Sequence, residues 1–304
     1  MKTKRHHYIP QFLIRNFTNN DKKITIYDKL KDDFFESVTN NIFVETDRNS
    51  FSDFDGKKND NIEKLYANLD SIFSVTIEKV IASESLDGED LGKLILLAYT
   101  QKWRVPQYQK ALENAISAYS FSDLGLRVKQ KDKIVDVNLE NIFNSLELQQ
   151  VKRFFLALQP FRFSEEYQKI FSKTVLLSTP LTALLSDCPF MESQLSTEII
   201  FEDFIFPIHE HYTLIFSKSI NKEDFLAFQS TERFKKFLFM FSTSRDAMSI
   251  GYADRFIGCS DEKYLKIIVN NYKNYIIDDG KKNTLFQAAF ELINNYKKDI
   301  YYEK

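Results

Sequence analysis

Residues 204–216 read Phe204-Ile205-Phe206-Pro207-Ile208-His209-Glu210-His211-Tyr212-Thr213-Leu214-Ile215-Phe216. Two short β-prone apolar runs, Phe204–Phe206 and Tyr212–Phe216, flank a polar centre, which is the pattern of two strands and a connection. Val175-Leu176-Leu177, Ala183-Leu184-Leu185 and Ile199-Ile200-Phe201 repeat this texture upstream, punctuated by Pro180, Pro189 and Pro207. Together they predict a small, mainly antiparallel sheet over residues 174–217. The centre has two readings. As strand, His209 and His211 share one face and could hold a metal. As a polar turn between Phe206 and Tyr212, both are exposed, and this reading is favoured.

Helical spacing takes over on both sides of this segment. Downstream, helices are expected at roughly 221–229, 231–248, 260–274 and 283–298. Upstream, Leu65, Leu69, Ile72, Phe73, Ile77 and Val80 follow the three-and-four spacing of an amphipathic helix. Asp87-Gly88-Glu89 begins a second helix, which Pro106 ends because proline disfavours helical geometry at Val105. Helical pattern resumes to about Tyr119. Residues 126–138 read as a loop or short hairpin, and Asn138 as the cap of a helix carrying Ile142, Leu146, Val151 and Phe154 before Pro160. The first 55 residues look strand-rich, with Ile24–Tyr27 and Phe34–Val38 joined by a turn at Leu30–Asp33. The expected architecture is α+β, mostly helical with a modest, mainly antiparallel sheet. One domain spans 1–304: strand-rich 1–55, helical 60–172, sheet 174–217 and helical 221–298.

The chain has 304 residues, 43% hydrophobic and 28% charged, enough to bury a sizeable core. Its 29 Phe and 15 Tyr contrast with 7 Gly and 6 Pro. So few glycines leave little material for phosphate-cradling loops. No P-loop, dinucleotide fingerprint or Gly-x-Ser-x-Gly is present, so no nucleotide cofactor is expected. No apolar run is long enough to span a membrane. Two cysteines and no apolar leader suggest a reducing, cytoplasmic setting. A net charge of −2 gives no global attraction to nucleic acid, so such contact needs a local patch, and Lys2, Lys4, Arg5 and Arg15 offer one. A solvated basic arm explains those charges too.

Four stretches could carry chemistry. In His6-His7-Tyr8-Ile9-Pro10-Gln11-Phe12, the His-His-x-x-Pro string resembles the first strand of HNH-type nucleases, whose histidine activates water beside a metal ion. Such sites also need an Asn and a second His. Asn40, Asn41 and Asn49 stand at suitable distances, but the next histidine is His209. The competing reading is a strand start with one histidine packed and one exposed. Asp187, in Ser186-Asp187-Cys188-Pro189, follows an apolar run, so its buried carboxylate needs hydrogen bonds, a cation or a cleft. An Asx turn satisfies it equally well. Gln101-x-x-Arg104-x-Pro106 puts Arg104 at a helix C-terminus, where it suits the dipole or could clamp a phosphate. The fourth is His209/His211.

Taken together, these stretches resemble the bacterial family known as domain of unknown function 4238. The resemblance rests on His6-His7-Tyr8-Ile9-Pro10-Gln11-Phe12-Leu13-Ile14-Arg15-Asn16-Phe17, Ile26-Tyr27-Asp28, Gln101-x-x-Arg104-x-Pro106, Ser186-Asp187-x-Pro189 and Phe206-Pro207. The chain departs from the family after Phe206-Pro207. Ile208-His209-Glu210 stands where the family tends to have Leu-Ser-Pro, which weakens a metal site built on His209 and His211. The resemblance implies a candidate pocket rather than a reaction. It also implies a bacterial protein associated with mobile or phage-defence genes.

The leading expectation is a nuclease-like effector acting on DNA or RNA. His6 or His7 would be the general base, Asp187 a ligand for Mg²⁺ or Mn²⁺ or an orienting group, and Arg15, Gln101 and Arg104 the substrate contacts. The alternative is a non-catalytic binding or sensor protein whose polar cluster is structural. In that case Phe-rich segments such as Phe234, Phe237, Phe239 and Phe241 could meet a protein partner as well as fill the core.

Overall fold

The N-terminal hairpin forms where the sequence alternates most cleanly. In the computed structural model, Lys23–Asp28 (β2) pairs antiparallel with Asp33–Val38 (β3), Ile26 lying opposite Phe35. The turn is closed by Asp28, whose Oδ1 accepts from the Leu30 amide at 3.1 Å. Asp32 takes a φ of 54°, the left-handed region that Asp tolerates better than most residues. The structure describes residues 4–52, 57–83, 86–118, 129–130, 133–134, 149–158, 161, 164–193, 202–275 and 279–296. Asn138, Ile142, Leu146 and Pro160 lie outside them.

Before this hairpin come Arg5–His7 (β1) and the short helix Gln11–Arg15 (α1). After it comes Val44–Thr46 (β4), which pairs with β1 so that His6 lies opposite Glu45. Phe51–Ser52 (β5) and Lys58–Asn59 (β6) form a small ladder before the long helix Asn61–Ser83 (α2). Gly88–Arg104 (α3) starts at Asp87, whose side chain accepts from the Asp90 amide at 2.8 Å. It stops where Val105 turns extended before Pro106, as the sequence predicts. Gln109–Ala118 (α4), the ladder of Lys129–Gln130 (β7) with Lys133–Ile134 (β8), Gln149–Leu156 (α5) and Ser164–Lys173 (α6) follow.

The segment read as one sheet contributes to two. Thr174–Ser178 (β9), Met191–Glu192 (β11), Phe204–His209 (β12) and Tyr212–Phe216 (β13) make an antiparallel sheet in the order β11-β12-β13-β9. Leu185–Ser186 (β10) leaves it and pairs with Phe256–Cys259 (β14), giving a second sheet in the order β10-β14-β2-β3. β14 was not expected, because four apolar residues between helices carry no readable period. Gly258 is required there: a Cβ would come within 2.4 Å of the Ile24 side chain of β2.

The 207–211 turn is a second correction. β12 runs on to His209, which pairs with Tyr212 across a bulge after Pro207, so only Glu210 and His211 turn. His209 and His211 are half-buried, and the His211 amide donates to His209 Nδ1 at 3.1 Å.

Lys222–Gln229 (α7), Glu232–Tyr252 (α8), Glu262–Tyr275 (α9) and Asp279–Asn295 (α10) complete the chain. Phe225, Phe228, Phe237, Phe241 and Phe290 pack with Ile205 and Ile215 of the first sheet into one apolar cluster. Phe237 and Phe241 are thus core residues, while Phe239 is exposed. Among the described residues, no helix is long and apolar enough to cross a membrane.

Candidate functional site

The N-terminal motif occupies a junction. β1 brings His6 and His7 alongside β4, and Pro10 starts α1, so that Gln11 and Arg15 follow about one turn apart on one side. His6 faces inward: it is buried, and its Nδ1 accepts from the Asn49 amide at 3.0 Å. His7 faces the other way, because side chains alternate along a strand. It lines a cleft of about 470 Å³ together with Gln11, Arg15, Glu63, Asp70 and Arg104.

The hydrogen bonds of His7 fix its tautomer. Its Nε2 lies 3.1 Å from the Thr39 carbonyl, which can only accept, so Nε2 carries the proton. Nδ1 is then a bare lone pair, touched only by a long contact of 3.4 Å from the Gln11 amide nitrogen. Burial lowers the imidazole pKa below its ordinary value, and the nearby charges of Arg104 and Arg5 lower it further against the pull of the Thr39 carbonyl. A neutral ring with an available lone pair is what a general base at neutral pH requires.

The cleft's other groups differ in how far they are committed. Arg104 is buried and grips Asp70 through two nitrogens, at 2.7 and 3.3 Å, and also donates to the His7 carbonyl at 3.2 Å. Burial opposes its charge, yet the Asp70 carboxylate outweighs that and raises its pKa. On Asp70 burial wins, pushing the carboxyl up despite Arg104. Glu63 accepts from the Asn49 side chain at 2.7 Å. Arg15 is exposed at the rim and makes no side-chain hydrogen bond among the described residues, so its guanidinium is available to an anion.

Gln101 and Asp187 do not line this cleft. The Gln101 amide donates to the Tyr8 carbonyl at 2.8 Å and is wholly buried, so it ties the chain just after β1 to α3 rather than meeting a substrate. Asp187 Oδ1 accepts from the Asp254 amide at 3.0 Å and from Gln107 at 3.1 Å. Its Oδ2 accepts from the Arg255 and Phe256 amides at 2.8 and 2.9 Å. Burial raises its pKa against these donors. Four N–H groups surround a carboxylate proposed as a metal ligand; they are donors that complete it rather than leave it open to a cation. Among the described residues, no three His, Cys, Asp or Glu side chains are grouped so as to hold a metal ion. Among the described residues, the N–H donors around Asp187 do not supply the oxygen ligands that Mg²⁺ or Mn²⁺ takes.

Glu63 and Asp70 escaped the sequence reading. Their signal was a mostly polar stripe on α2, Glu63, Ala67, Asp70, Ser71 and Ser74, at helical spacing alongside the buried Ile62, Tyr66, Phe73 and Ile77.

Asn16, also in the N-terminal motif, donates to the Ile208 carbonyl at 2.8 Å, and its own carbonyl accepts from the Glu210 amide at 3.1 Å. The motifs quoted from distant parts of the chain thus meet as ties between β1, α1, α3, β12 and β14. No curated protein and no solved structure matches the chain. A family model described as "Protein of unknown function (DUF4238)" matches residues 5–282, and it is to this family that the chain belongs.

Proposed function

We propose that the protein is a nucleic-acid-processing enzyme, a nuclease-like effector whose reactive group is His7. One observation carries this reading: a neutral imidazole of fixed tautomer shares a solvent-reachable cleft with the uncommitted guanidinium of Arg15. In this reading His7 Nδ1 takes the proton from the attacking oxygen, a water or a ribose hydroxyl. Arg15 neutralises the phosphate oxygens on which negative charge develops. Arg104 contributes through its grip on Asp70 and on the His7 carbonyl, which holds the histidine in place. His6 is a packing residue that supports the strand, and a place in phage defence belongs to this proposal as the setting of such an effector.

The test uses the full chain with single- and double-stranded RNA and DNA, with and without Mg²⁺ or Mn²⁺. Cleavage by the wild type is expected to fall at least about a hundredfold in His7→Ala, the usual contribution of a general base. It should also fall in Arg15→Ala, with the loss larger at low substrate. Undiminished cleavage by His7→Ala overturns the assignment.

A second reading has its own support. Gln101, Asp187, Asn16 and His6 each give at least one polar atom to a backbone group of another segment. A binding or sensor protein would need that scaffold and no base. No cleavage of any of the four substrates, with retained binding through Arg15, favours it.

A further inference from the structure

Behind the cleft, two buried arginines and a half-buried third come together with too few acceptors. Arg48 follows β4, Arg104 ends α3 and Arg153 lies on α5. Arg48 Nε donates to the Arg104 carbonyl at 2.9 Å, which ties the first two side by side. The Arg104 guanidinium lies 4.4 Å from the centre of the Tyr66 ring, and Tyr66 packs against Phe154, the residue after Arg153, at 5.4 Å. Tyr66 therefore feels the charge of all three, with Arg104 over its ring and Arg48 over the neighbouring Tyr8 ring at 5.9 Å.

Their partners can be counted. Arg48 pairs with Glu45, and Arg104 with Asp70. Arg153 has no carboxylate among the described residues; its single hydrogen bond goes to the neutral Gln109 Oε1 at 2.8 Å. Arg153 is only 3% exposed, and the nearest opposite charge that acts on it, Glu45, is already paired with Arg48, so this charge is taken out of water with no counter-ion of its own. Four guanidinium nitrogens in the group are buried with no acceptor: Arg48 Nη2, Arg104 Nε, Arg153 Nε and Arg153 Nη1. Buried donors left unsatisfied are rare in folded proteins, and four on three neighbouring like-charged groups call for an anion. Burial and the repulsion of Arg48 and Arg104 hold the Arg153 pKa down to about 10, outweighing the pull of Tyr66 and of the Glu45 carboxylate that Arg48 engages.

We propose that Arg48, Arg104 and Arg153, beside Tyr66, form an internal binding site for a phosphate-like oxyanion, which gives Arg153 a counter-charge of its own. Planar guanidinium forks match a tetrahedral oxyanion, whose oxygens supply the acceptors that the unpartnered nitrogens lack. Arg104 also lines the His7 cleft, so a free phosphate ion and the terminal phosphate of a strand in that cleft are two sources of the same chemistry. The inference stands on the arginines alone and does not require cleavage by His7.

The test is thermal unfolding of the full chain in chloride buffer at fixed ionic strength, titrated with inorganic phosphate, a 5′-phosphorylated oligonucleotide or its 5′-hydroxyl counterpart. A saturable rise in Tm is expected with phosphate, about 5 °C at roughly 100-fold above Kd. A response to phosphate alone identifies a free ion. A stronger response to the phosphorylated than to the hydroxyl oligonucleotide identifies a strand terminus. Arg153→Met, which removes the uncompensated charge at similar volume, should unfold in chloride at or above the wild-type temperature and lose the phosphate response. A wild type indifferent to both phosphate sources overturns the site, a measurement that needs no variant to fold. So does an unchanged response in Arg153→Met.

Discussion

Asp187 and His7 both sit in motifs that suggested chemistry, and the fold treats them in opposite ways. Every acceptor position of the Asp187 carboxylate faces an N–H, three of them backbone amides of residues 254–256. His7 has one nitrogen satisfied and the other facing a cleft. A polar side chain whose valences are filled by the backbone is a joint. One left with an unfilled valence toward solvent is a candidate reagent. The sequence shows both only as polar residues beside apolar runs.

The largest expected effect comes from breaking the joint. Asp187→Ala orphans three backbone amides and frees the turn that leads into β14, the strand that joins β10 to β2. Each buried donor left unsatisfied costs about 1–3 kcal/mol, so the variant should lose about 4 kcal/mol of stability in urea unfolding, near the top of the single-substitution range. A loss below about 1 kcal/mol would return Asp187 to the list of reactive groups.

A smaller effect should come from the side of the cleft. Arg104→Met leaves the mostly buried Asp70 without its partner and removes the donor to the His7 carbonyl. About 3 kcal/mol is expected for such an uncompensated charge. The double variant Arg104→Met, Asp70→Leu should recover most of it, because removing both charges takes away the desolvation cost of the one left behind. Additive losses in that cycle would mean the pair is not coupled and that Arg104 supports the cleft by packing alone.

How much of this was legible depends on whether the controlling contact is local. The α2 and α3 boundaries were readable because spacing, the Asp87 cap and Pro106 all act within a few residues. The hairpin of β2 and β3 was readable for the same reason. β14 was not, since its four residues become a strand only by filling the gap between β10 and β2. The site was half legible. His7 and Arg15 lie in one motif eight residues apart and were named together. Glu63 and Asp70 reach the cleft only because α2 lies across α1, and a polar stripe on a helix does not say which neighbour it will face. Gln101 and Asp187 were assigned to chemistry although they turned out to be ties, because a buried amide and a buried carboxylate look the same in sequence whether they bond a backbone or a ligand. The three arginines behind Tyr66 were scattered over more than a hundred residues and gave no hint of meeting.

The smallest effect sharpens the other side of the comparison, since His7 should be visible in the pH dependence of stability. Its pKa is lower in the folded protein than in the unfolded chain, chiefly because burial disfavours the imidazolium. The unfolded state therefore binds the proton more readily, and folding stability rises with pH across the interval between the two pKa values. His7 contributes its full share above the unfolded value near 6.5 and loses it as the pH falls through the folded one. His7→Gln should flatten that portion of the profile relative to the wild type. His209 is lowered for the same reason and contributes in the same direction, so the His7→Gln, His209→Gln double variant should flatten it further. A steeper profile in His7→Gln would mean that the ring is charged in the folded state. The Thr39 carbonyl would then be one of two acceptors, and the lone pair on which the base reading rests would not exist at neutral pH.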